Sequence, residues 1–342
     1  MRILIVNSLD ARYGSTYRLR AMRDALERSF DVAYVEHLGG AIGKLIRALR
    51  ASGFESYDLF VTQKFNPITL AAIAVARLRG KLAHVDWDDW DVGLQSNAVK
   101  RLISRVCEWV GPRLASHLST HNEEILAHAR KLRPTLRIDQ GFDAALFHPH
   151  HDQSLARTTW KIPPGVRIIG HLCTFTHGGT LDLDVILKAW SRILTPQIVF
   201  MLIGGGPLEH RIVGKLRDLG LQSRTIVTGL LDRDETAKAL ACLDALAVHM
   251  SDTPSNRARV SLKVIEALAC GIPVVGEVVG ETKTLVGGHV IEPKGDFALM
   301  LESIALGDRP APVPMAALSW EKTMAPWVEW IGKIGKKHGT HP

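Results

Sequence analysis

The stretch from Ser251 to Gly280 has residue types and spacings suited to holding an anionic ligand. A short apolar strand ends near His249, the polar loop Ser251-Asp252-Thr253-Pro254-Ser255-Asn256-Arg257-Ala258-Arg259 follows, and a helix opens near Ser261. The first turn of a helix presents N–H groups without helical partners and a partial positive charge, a combination that suits a diphosphate. Lys263 stands in that turn and adds a point charge. Arg257 and Arg259, in the loop before it, are further phosphate partners. Glu266 lies one turn beyond Lys263 on the same face, where a carboxylate can accept hydrogen bonds from both vicinal hydroxyls of a ribose. The plain alternative is an amphipathic helix with Glu266 in solvent. Val264, Ile265, Ala267 and Leu268 around it favour burial instead.

A second unusual patch is His84-Val85-Asp86-Trp87-Asp88-Asp89-Trp90-Asp91. Clustered carboxylates raise one another's pKa and suit either a hard cation such as Mg²⁺ or proton handling, with Asp88 and Asp89 the candidates. The structural alternative is a polar loop whose Trp side chains fill the core. Near the start, Leu9-Asp10-Ala11-Arg12-Tyr13-Gly14-Ser15-Thr16-Tyr17-Arg18 follows an apolar strand. Gly14 permits close backbone approach, Ser15 or Thr16 can cap the next helix, and Arg18 and Arg20 can meet an anion. A plain capped turn accounts equally well for Ser15 and Thr16. His121-Asn122 precedes another helix, with Asn122 as its cap. Ile42–Arg50 reads as a basic amphipathic helix, with Lys44, Arg47 and Arg50 beside a stripe of Ile42, Leu45, Ile46 and Leu49. It suits peripheral contact with an anionic membrane, or simply packing on a sheet.

The elements that position these residues alternate along the chain. Short apolar, β-branched runs predict strands at 3–6, 32–35, 59–62, 83–85, 117–119 and 136–138 in the first half. The second half has them at 167–171, 198–203, 225–228, 245–249, 273–276 and 289–291. Helical patterns lie between them. Continuous apolar strands separated by helices predict parallel sheets covered on both faces, hence an α/β fold of two doubly wound domains. At 342 residues the chain is long enough for two cores. The expected boundaries are 1–155, 156–315 and a terminal helix over 316–342 that packs back toward the first domain. The seam is expected between Phe147 and Pro164, where His148-Pro149-His150-His151 and Pro163-Pro164-Gly165 break the periodicity. In such sheets, ligands bind at the carboxyl ends of the strands.

Composition narrows the reading. Hydrophobic residues make up 46% and charged residues 23%, ordinary values for a globular protein, and no apolar run is long enough to span a bilayer. The brief apolar run after Met1 reads as a strand rather than a signal peptide. Four separated cysteines, Cys107, Cys173, Cys242 and Cys270, read as reduced core residues and suit a cytoplasmic protein, with peripheral placement at the inner membrane face as the extension. The net charge of +7 favours anionic partners, but no basic stripe with interleaved aromatics suggests nucleic acid. The residues after the first strand lack the G-x-G-x-x-G of a nicotinamide-dependent dehydrogenase.

The tract Lys263-Val264-Ile265-Glu266-Ala267-Leu268-Ala269-Cys270-Gly271-Ile272-Pro273-Val274-Val275 resembles the hallmark of retaining GT-B glycosyltransferases, especially family 4. Gly204-Gly205-Gly206-Pro207, Thr228-Gly229 with the segment Asp232–Ala245, and Gln140-Gly141-Phe142-Asp143 with Phe147-His148-Pro149 agree with further landmarks of that family. The resemblance covers nearly the whole chain. It implies a GT-B-like fold and a metal-independent enzyme without a cofactor. That enzyme would move a sugar from a UDP- or GDP-linked donor to the hydroxyl of a sugar, lipid-linked or small-molecule acceptor, with retention. On this reading Lys263, Glu266, Arg257, Arg259, Thr176, Gly178, Gly205 and Gly229 hold the donor. Gly14, Ser15, Arg18, Trp87 and Trp90 meet the acceptor, and Asp88, Asp89 and His177 are the catalytic candidates. Two features depart from the family. Ala258 stands where a first glutamate precedes Glu266 by eight residues, and the loop His171–Thr180 lacks the Arg and Lys often set against the phosphates. A non-catalytic two-lobed protein that binds a sugar or nucleotide is the alternative with the same architecture.

Overall fold

The computed structural model describes residues 1–9, 15–36, 40–95, 97–307 and 311–337, except the side chain of Ser15. The expected acceptor contacts of Gly14 and of the Ser15 side chain lie outside the described residues. The described chain forms two compact units. In the first, β1 (Arg2–Val6), β2 (Asp31–Val35), β3 (Leu59–Gln63), β4 (Leu82–Asp86), β5 (His117–Thr120) and β6 (Thr135–Arg137) alternate with five helices. These are α1 (Ser15–Glu27), α2 (Ala41–Phe54), α3 (Pro67–Leu78), α4 (Ala98–Leu114) and α5 (Glu123–Ala129). The second unit has β7 (Arg167–Leu172), β8 (Ile198–Ile203), β9 (Thr225–Val227), β10 (Ala245–His249), β11 (Val274–Glu277) and β12 (Val290–Ile291). Its helices are α6 (Gln153–Thr159), α7 (Leu183–Trp190), α8 (Glu209–Asp218), α9 (Arg233–Ala241), α10 (Pro254–Ala258), α11 (Leu262–Ala269), α12 (Gly280–Val286) and α13 (Phe297–Leu306). The last helix, α14 (Trp320–Lys337), belongs to the first unit.

Each sheet is six-stranded and parallel, ordered β2-β1-β3-β4-β5-β6 in the first unit and β12-β11-β10-β7-β8-β9 in the second. The strand order reverses between β1 and β3 and between β7 and β10, which opens a crevice at the carboxyl edge of each sheet. Because successive side chains point to opposite faces, β1 and β3 feed two cores at once. Ile3, Ile5, Leu59 and Val61 pack with Leu19, Met22, Trp327 and Ile331. Leu4, Val6 and Phe60 pack on the other side with Ala48, Ala72, Ile73 and Cys107. In the second unit Ile169, Phe200, Leu202 and Ala247 meet Ile186, Trp190, Leu216 and Leu301. All four cysteines are buried, and none is in a disulfide.

Caps fix where helices begin. Asn66 accepts from the N–H groups of Ile68 and Thr69 while Thr69 Oγ1 accepts from Asn66, and Pro67 supplies a preset first turn to α3. Asp232 and Glu235 form the same reciprocal box at α9. Three short helices, α6, α10 and α12, arise where the sequence pattern reads as loop or linker. Each has at most seven residues, too few to develop an apolar stripe. The chain passes from the first unit to the second after Gly141, ahead of the 147–164 stretch. Phe142 already belongs to the second unit: its N–H donates to Leu318 O at 3.0 Å, and it bridges to Ser319. Phe147 is buried there with the Arg233 guanidinium 4.4 Å over its ring, and α6 packs on α9. Local Pro and His residues break periodicity without separating cores.

Trp327 is fully buried against β1 and β3 and donates its Nε1–H to His84 Nε2 at 3.1 Å. Trp327→Ala should cost about 3–5 kcal/mol in stability, read as a lowered midpoint in chemical denaturation.

Candidate functional site

The carboxyl edge of the first sheet collects ionisable groups that the strands deliver from either side of the β1/β3 reversal. Arg18, on α1, is fully buried and spends all its donors inside the unit. Nε and Nη2 donate to the two oxygens of Asp86 at 2.7 and 3.1 Å. Nη1 reaches Asp139 O and Gln140 Oε1, both at 3.1 Å, and Nη2 also reaches Ile138 O at 2.9 Å. The expectation that Arg18 meets an anionic acceptor is therefore corrected: its donors are spent on tying α1 to β4 and to the chain after β6. Burial pushes the Asp86 carboxyl up, but the Arg18 guanidinium and the Ser119 hydroxyl outweigh it and hold the group below its ordinary value.

Next to this pair lies a cluster organised by a residue that sequence reasoning did not single out. Lys64 follows β3 with a left-handed backbone (φ 60°), rare for a side-chain-bearing residue. Its buried ammonium lies 2.8 Å from Asp89, 3.0 Å from Asp91 and 3.4 Å from Asp88. The cation inside the acidic patch is thus the chain's own. Burial would lower the Lys64 pKa, yet the three carboxylates raise it well above its usual value. Asp89 is pushed up by burial and pulled further down by Lys64, so it stays ionised. Asp88 is raised well above the carboxylate range, by burial first and by Asp89, Asp86 and Asp91 besides, against the pull of Lys64. Gln63 Nε2 donates to Asp88 Oδ2 at 2.8 Å, while Asp88 Oδ1 and Gln63 Oε1 have no hydrogen-bond partner. His121, just past β5, is buried with both ring nitrogens unpartnered, and burial lowers its pKa to about 4. A carboxyl group, an amide oxygen and a neutral imidazole can all exchange hydrogen bonds with hydroxyl groups.

The Trp residues divide. Trp87 is core: it meets Phe65, Trp90 and His128 edge-on at 5.2, 5.1 and 5.9 Å. That placement corrects the expectation that it stacks on a ligand. Trp90, packed on Trp87 and His128, keeps part of its surface exposed. Below it, Glu108 turns inward to accept from the Asp91 N–H at 2.6 Å, and burial raises its pKa to about 7.

In the second unit, the β7/β10 reversal brings together three loops. Gly204 has a left-handed φ of 137°, and a Cβ there would sit 1.9 Å from Cys173 O. A Cβ on Gly205 would sit 2.5 Å from Leu230 N, so this glycine, expected on the donor, serves the close packing of two backbone turns. Gly229 (φ 74°) turns the chain opposite Gly204, with open space where a Cβ would be. The Thr176 hydroxyl accepts from the Gly179 N–H at 3.2 Å and so caps the turn Gly178–Thr180, while His177 is exposed at its start. His171 Nδ1 donates to Ala247 O at 2.8 Å, bridging β7 to β10. Burial, with the charge of Lys263 behind it, lowers the His171 pKa to about 3. Lys263 is therefore near the carboxyl end of β7, at the reversal.

Glu266 is 1% exposed and forms an ion pair with Arg233, the residue that opens α9. Burial raises its pKa, and Arg233 opposes the shift. Arg233 was not anticipated from the sequence, although its place right after the capping Asp232 marks the start of a helix at the strand edge. Arg257 is exposed and pairs with Asp252 at 2.7 Å. Ala258, Arg259 and Val260 group with the first unit, where the charge of Arg259 helps to hold Asp89 down. Ala258 is fully buried, so the place of a first glutamate is taken by a packed methyl group.

Two Rossmann-like units of this topology define a GT-B-like fold. The chain superposes on sucrose-phosphate synthase from Thermosynechococcus elongatus with a TM-score of 0.72 at 18% identity over 98% of both chains. It superposes on HepE from Anabaena in complex with UDP and glucose with a TM-score of 0.68 at 16% identity over 99% of both. Residues 166–305, within the second unit, match the family described as Glycosyl transferases group 1. A 2-deoxystreptamine N-acetyl-D-glucosaminyltransferase of Streptomyces fradiae is 29% identical over 152 residues, 43% of this chain and 34% of that protein. A D-inositol 3-phosphate glycosyltransferase of Mycobacterium leprae is 29% identical over 207 residues, 54% of this chain and 45% of that protein. The matched region thus spans less than half of the length of these curated relatives.

The cluster around Lys64 makes opposite predictions for its members. Lys64→Met leaves buried carboxylates unneutralised and should cost about 3–5 kcal/mol at neutral pH. Asp88, its pKa raised by burial and by the neighbouring carboxylates, disfavours its charged form, so Asp88→Asn should be tolerated, with unchanged or higher stability. Glu108 carries a raised pKa, so its contribution is full below the ordinary glutamate value and is lost as pH rises through about 7. Glu108→Gln should flatten that part of the stability profile, followed by denaturation midpoints across the pH range.

Proposed function

We propose that this chain transfers a glycosyl group from a UDP- or GDP-linked donor to an acceptor hydroxyl, with retention, in the biosynthesis of a glycan or glycoconjugate. The bond between the anomeric carbon and the diphosphate oxygen breaks, the acceptor oxygen takes its place, and the nucleoside diphosphate leaves carrying the acceptor hydroxyl's proton. The observation that carries this reading is the buried carboxylate of Glu266, one turn past Lys263 on a helix that opens at the strand reversal. Glu266 accepts from the ribose diol, and Lys263 with the N–H groups of the turns after β7 meets the diphosphate. These donors stabilise charge as it develops on the leaving group. The match of the second unit to group 1 glycosyl transferases supports the activity. The UDP and glucose bound to the Anabaena neighbour support a nucleotide-sugar donor. Retention rests on the family resemblance of the Lys263–Val275 tract.

The acceptor meets the carboxyl edge of the first unit, against Trp90 and the unpartnered atoms of Asp88, Gln63 and His121. Asp89 is committed to Lys64, and the raised pKa of Asp88 favours its protonated form, which can donate a hydrogen bond to the acceptor. His177, exposed on its turn, remains the donor-side catalytic candidate. The reaction needs no metal on this reading. Four buried thiols support a cytoplasmic setting.

Titration calorimetry with UDP and GDP tests the donor site. Glu266→Ala should weaken the preferred nucleotide by about tenfold or more, because a charged hydrogen-bond acceptor is lost. Unchanged affinity would mean the ribose lies elsewhere, and no binding of either nucleotide to the unaltered protein would sink the donor reading. Since the Glu266 pKa is raised and the ionised form accepts from the diol, affinity should fall on acidification above the ordinary glutamate range.

A further inference from the structure

Helix α4 carries a set of apolar side chains that its own unit does not cover. Val99, Leu102, Ile103, Val106 and Trp109 are 68%, 60%, 43%, 50% and 63% exposed. Their spacing of three and four residues gathers them into one stripe along the helix. The inward face is separate and well packed, formed by Cys107, Glu108, Gly111 and Pro112. Single exposed apolar residues need no explanation, but a continuous stripe marks an interaction surface.

The charges beside the stripe all have one sign. Lys100, Arg101 and Arg105 are exposed, and no ion pair joins them to an acid among the described residues. Arg113 extends the row, with its guanidinium 4.5 Å over the Trp109 ring. The one acid of the helix, Glu108, is turned inward to the Asp91 N–H. Helices α2, α3 and α4 pack side by side over the same face of the sheet. Near its start, α2 adds exposed Ile42 and Ile46 with Lys44, Arg47 and Arg50. No helix of the described residues is long and apolar enough to cross a membrane.

We propose that the outer face of α4, extended by the first turns of α2, docks onto an anionic lipid surface. Val99, Leu102, Val106 and Trp109 enter the boundary between headgroups and acyl chains, and Arg101, Arg105 and Lys100 meet lipid phosphates. Apolar burial combined with attraction to anionic headgroups is what holds such helices in an interface. Trp is suited to that depth because its ring is apolar and its N–H is polar. Both α2 and α4 start at the carboxyl edge of the sheet, since each follows the end of a parallel strand. Docking there would keep that edge beside the lipid headgroups.

Co-sedimentation with vesicles tests the surface. The full chain should bind vesicles of phosphatidylcholine mixed with phosphatidylglycerol, bind phosphatidylcholine alone far more weakly, and be released by high salt. Arg101→Glu with Arg105→Glu should weaken binding to the anionic vesicles by about tenfold or more. Leu102→Glu with Val106→Glu should do the same while leaving circular dichroism and the melting temperature unchanged, as expected for exposed positions. Trp109→Phe should remove most of the quenching of protein fluorescence by brominated lipids. No vesicle binding, binding indifferent to lipid charge, or binding unaltered by these folded variants would overturn the proposal. So would a dimer in solution that Leu102→Glu with Val106→Glu converts to a monomer, because a second copy would then be the occupant.

Discussion

Strands that are buried on both faces leave a parallel sheet only its edges for charged side chains, and a charge buried at such an edge must be met where it stands. In the first unit this requirement fixes most of what surrounds the carboxyl edge. Arg18 is too costly to bury unpaired, so it draws in Asp86 and the backbone after β6, locking a helix to strands far apart in sequence. Lys64 imposes the same condition on the loop after β4. Three carboxylates converge on one ammonium, and burial together with the neighbouring carboxylates pushes the Asp88 pKa well up against the pull of Lys64. The arrangement is a settled electrostatic structure with a few polar atoms left over, rather than an open acidic basin.

The second unit meets a different constraint. Its edge is lined by backbone turns that approach one another too closely for side chains, as Gly204 and Gly205 demonstrate against Cys173 and Leu230. The buried Glu266 is the exception in this backbone-lined edge, and its pairing with Arg233 keeps the carboxylate oriented while no ligand is present.

Much of this was legible in the sequence because the signals are local. Apolar runs of strand length and their alternation with helical patterns set the twelve strands, and parallel sheets follow from runs buried on both faces. Glu266 could be read as buried from its apolar neighbours within one helix. The capping pairs Asp232 with Glu235 and Asn66 with Thr69 are equally local, each partner three residues from the other. The unit boundary was less legible, since Pro and His residues interrupt periodicity wherever the chain turns. What assigned Phe142–Phe147 to the second unit was pairing with Ser319 and stacking under Arg233.

Side-chain roles at the strand edges depended on partners distant in sequence. Arg18 read as an anion contact until Asp86, Ile138 and Gln140 came within reach of its donors. Trp87 and Trp90 look alike in sequence, yet packing against Phe65 puts one in the core and leaves the other half-exposed. Lys64 carries no local motif; only the convergence of β3 and the loop after β4 makes it the centre of a cluster. The sequence by itself determined the strands and the longer helices, because hydrophobic periodicity acts over a few residues. Only the tertiary structure decided which charges are spent on one another and which remain for a ligand, because that depends on burial and on groups brought together from across the chain.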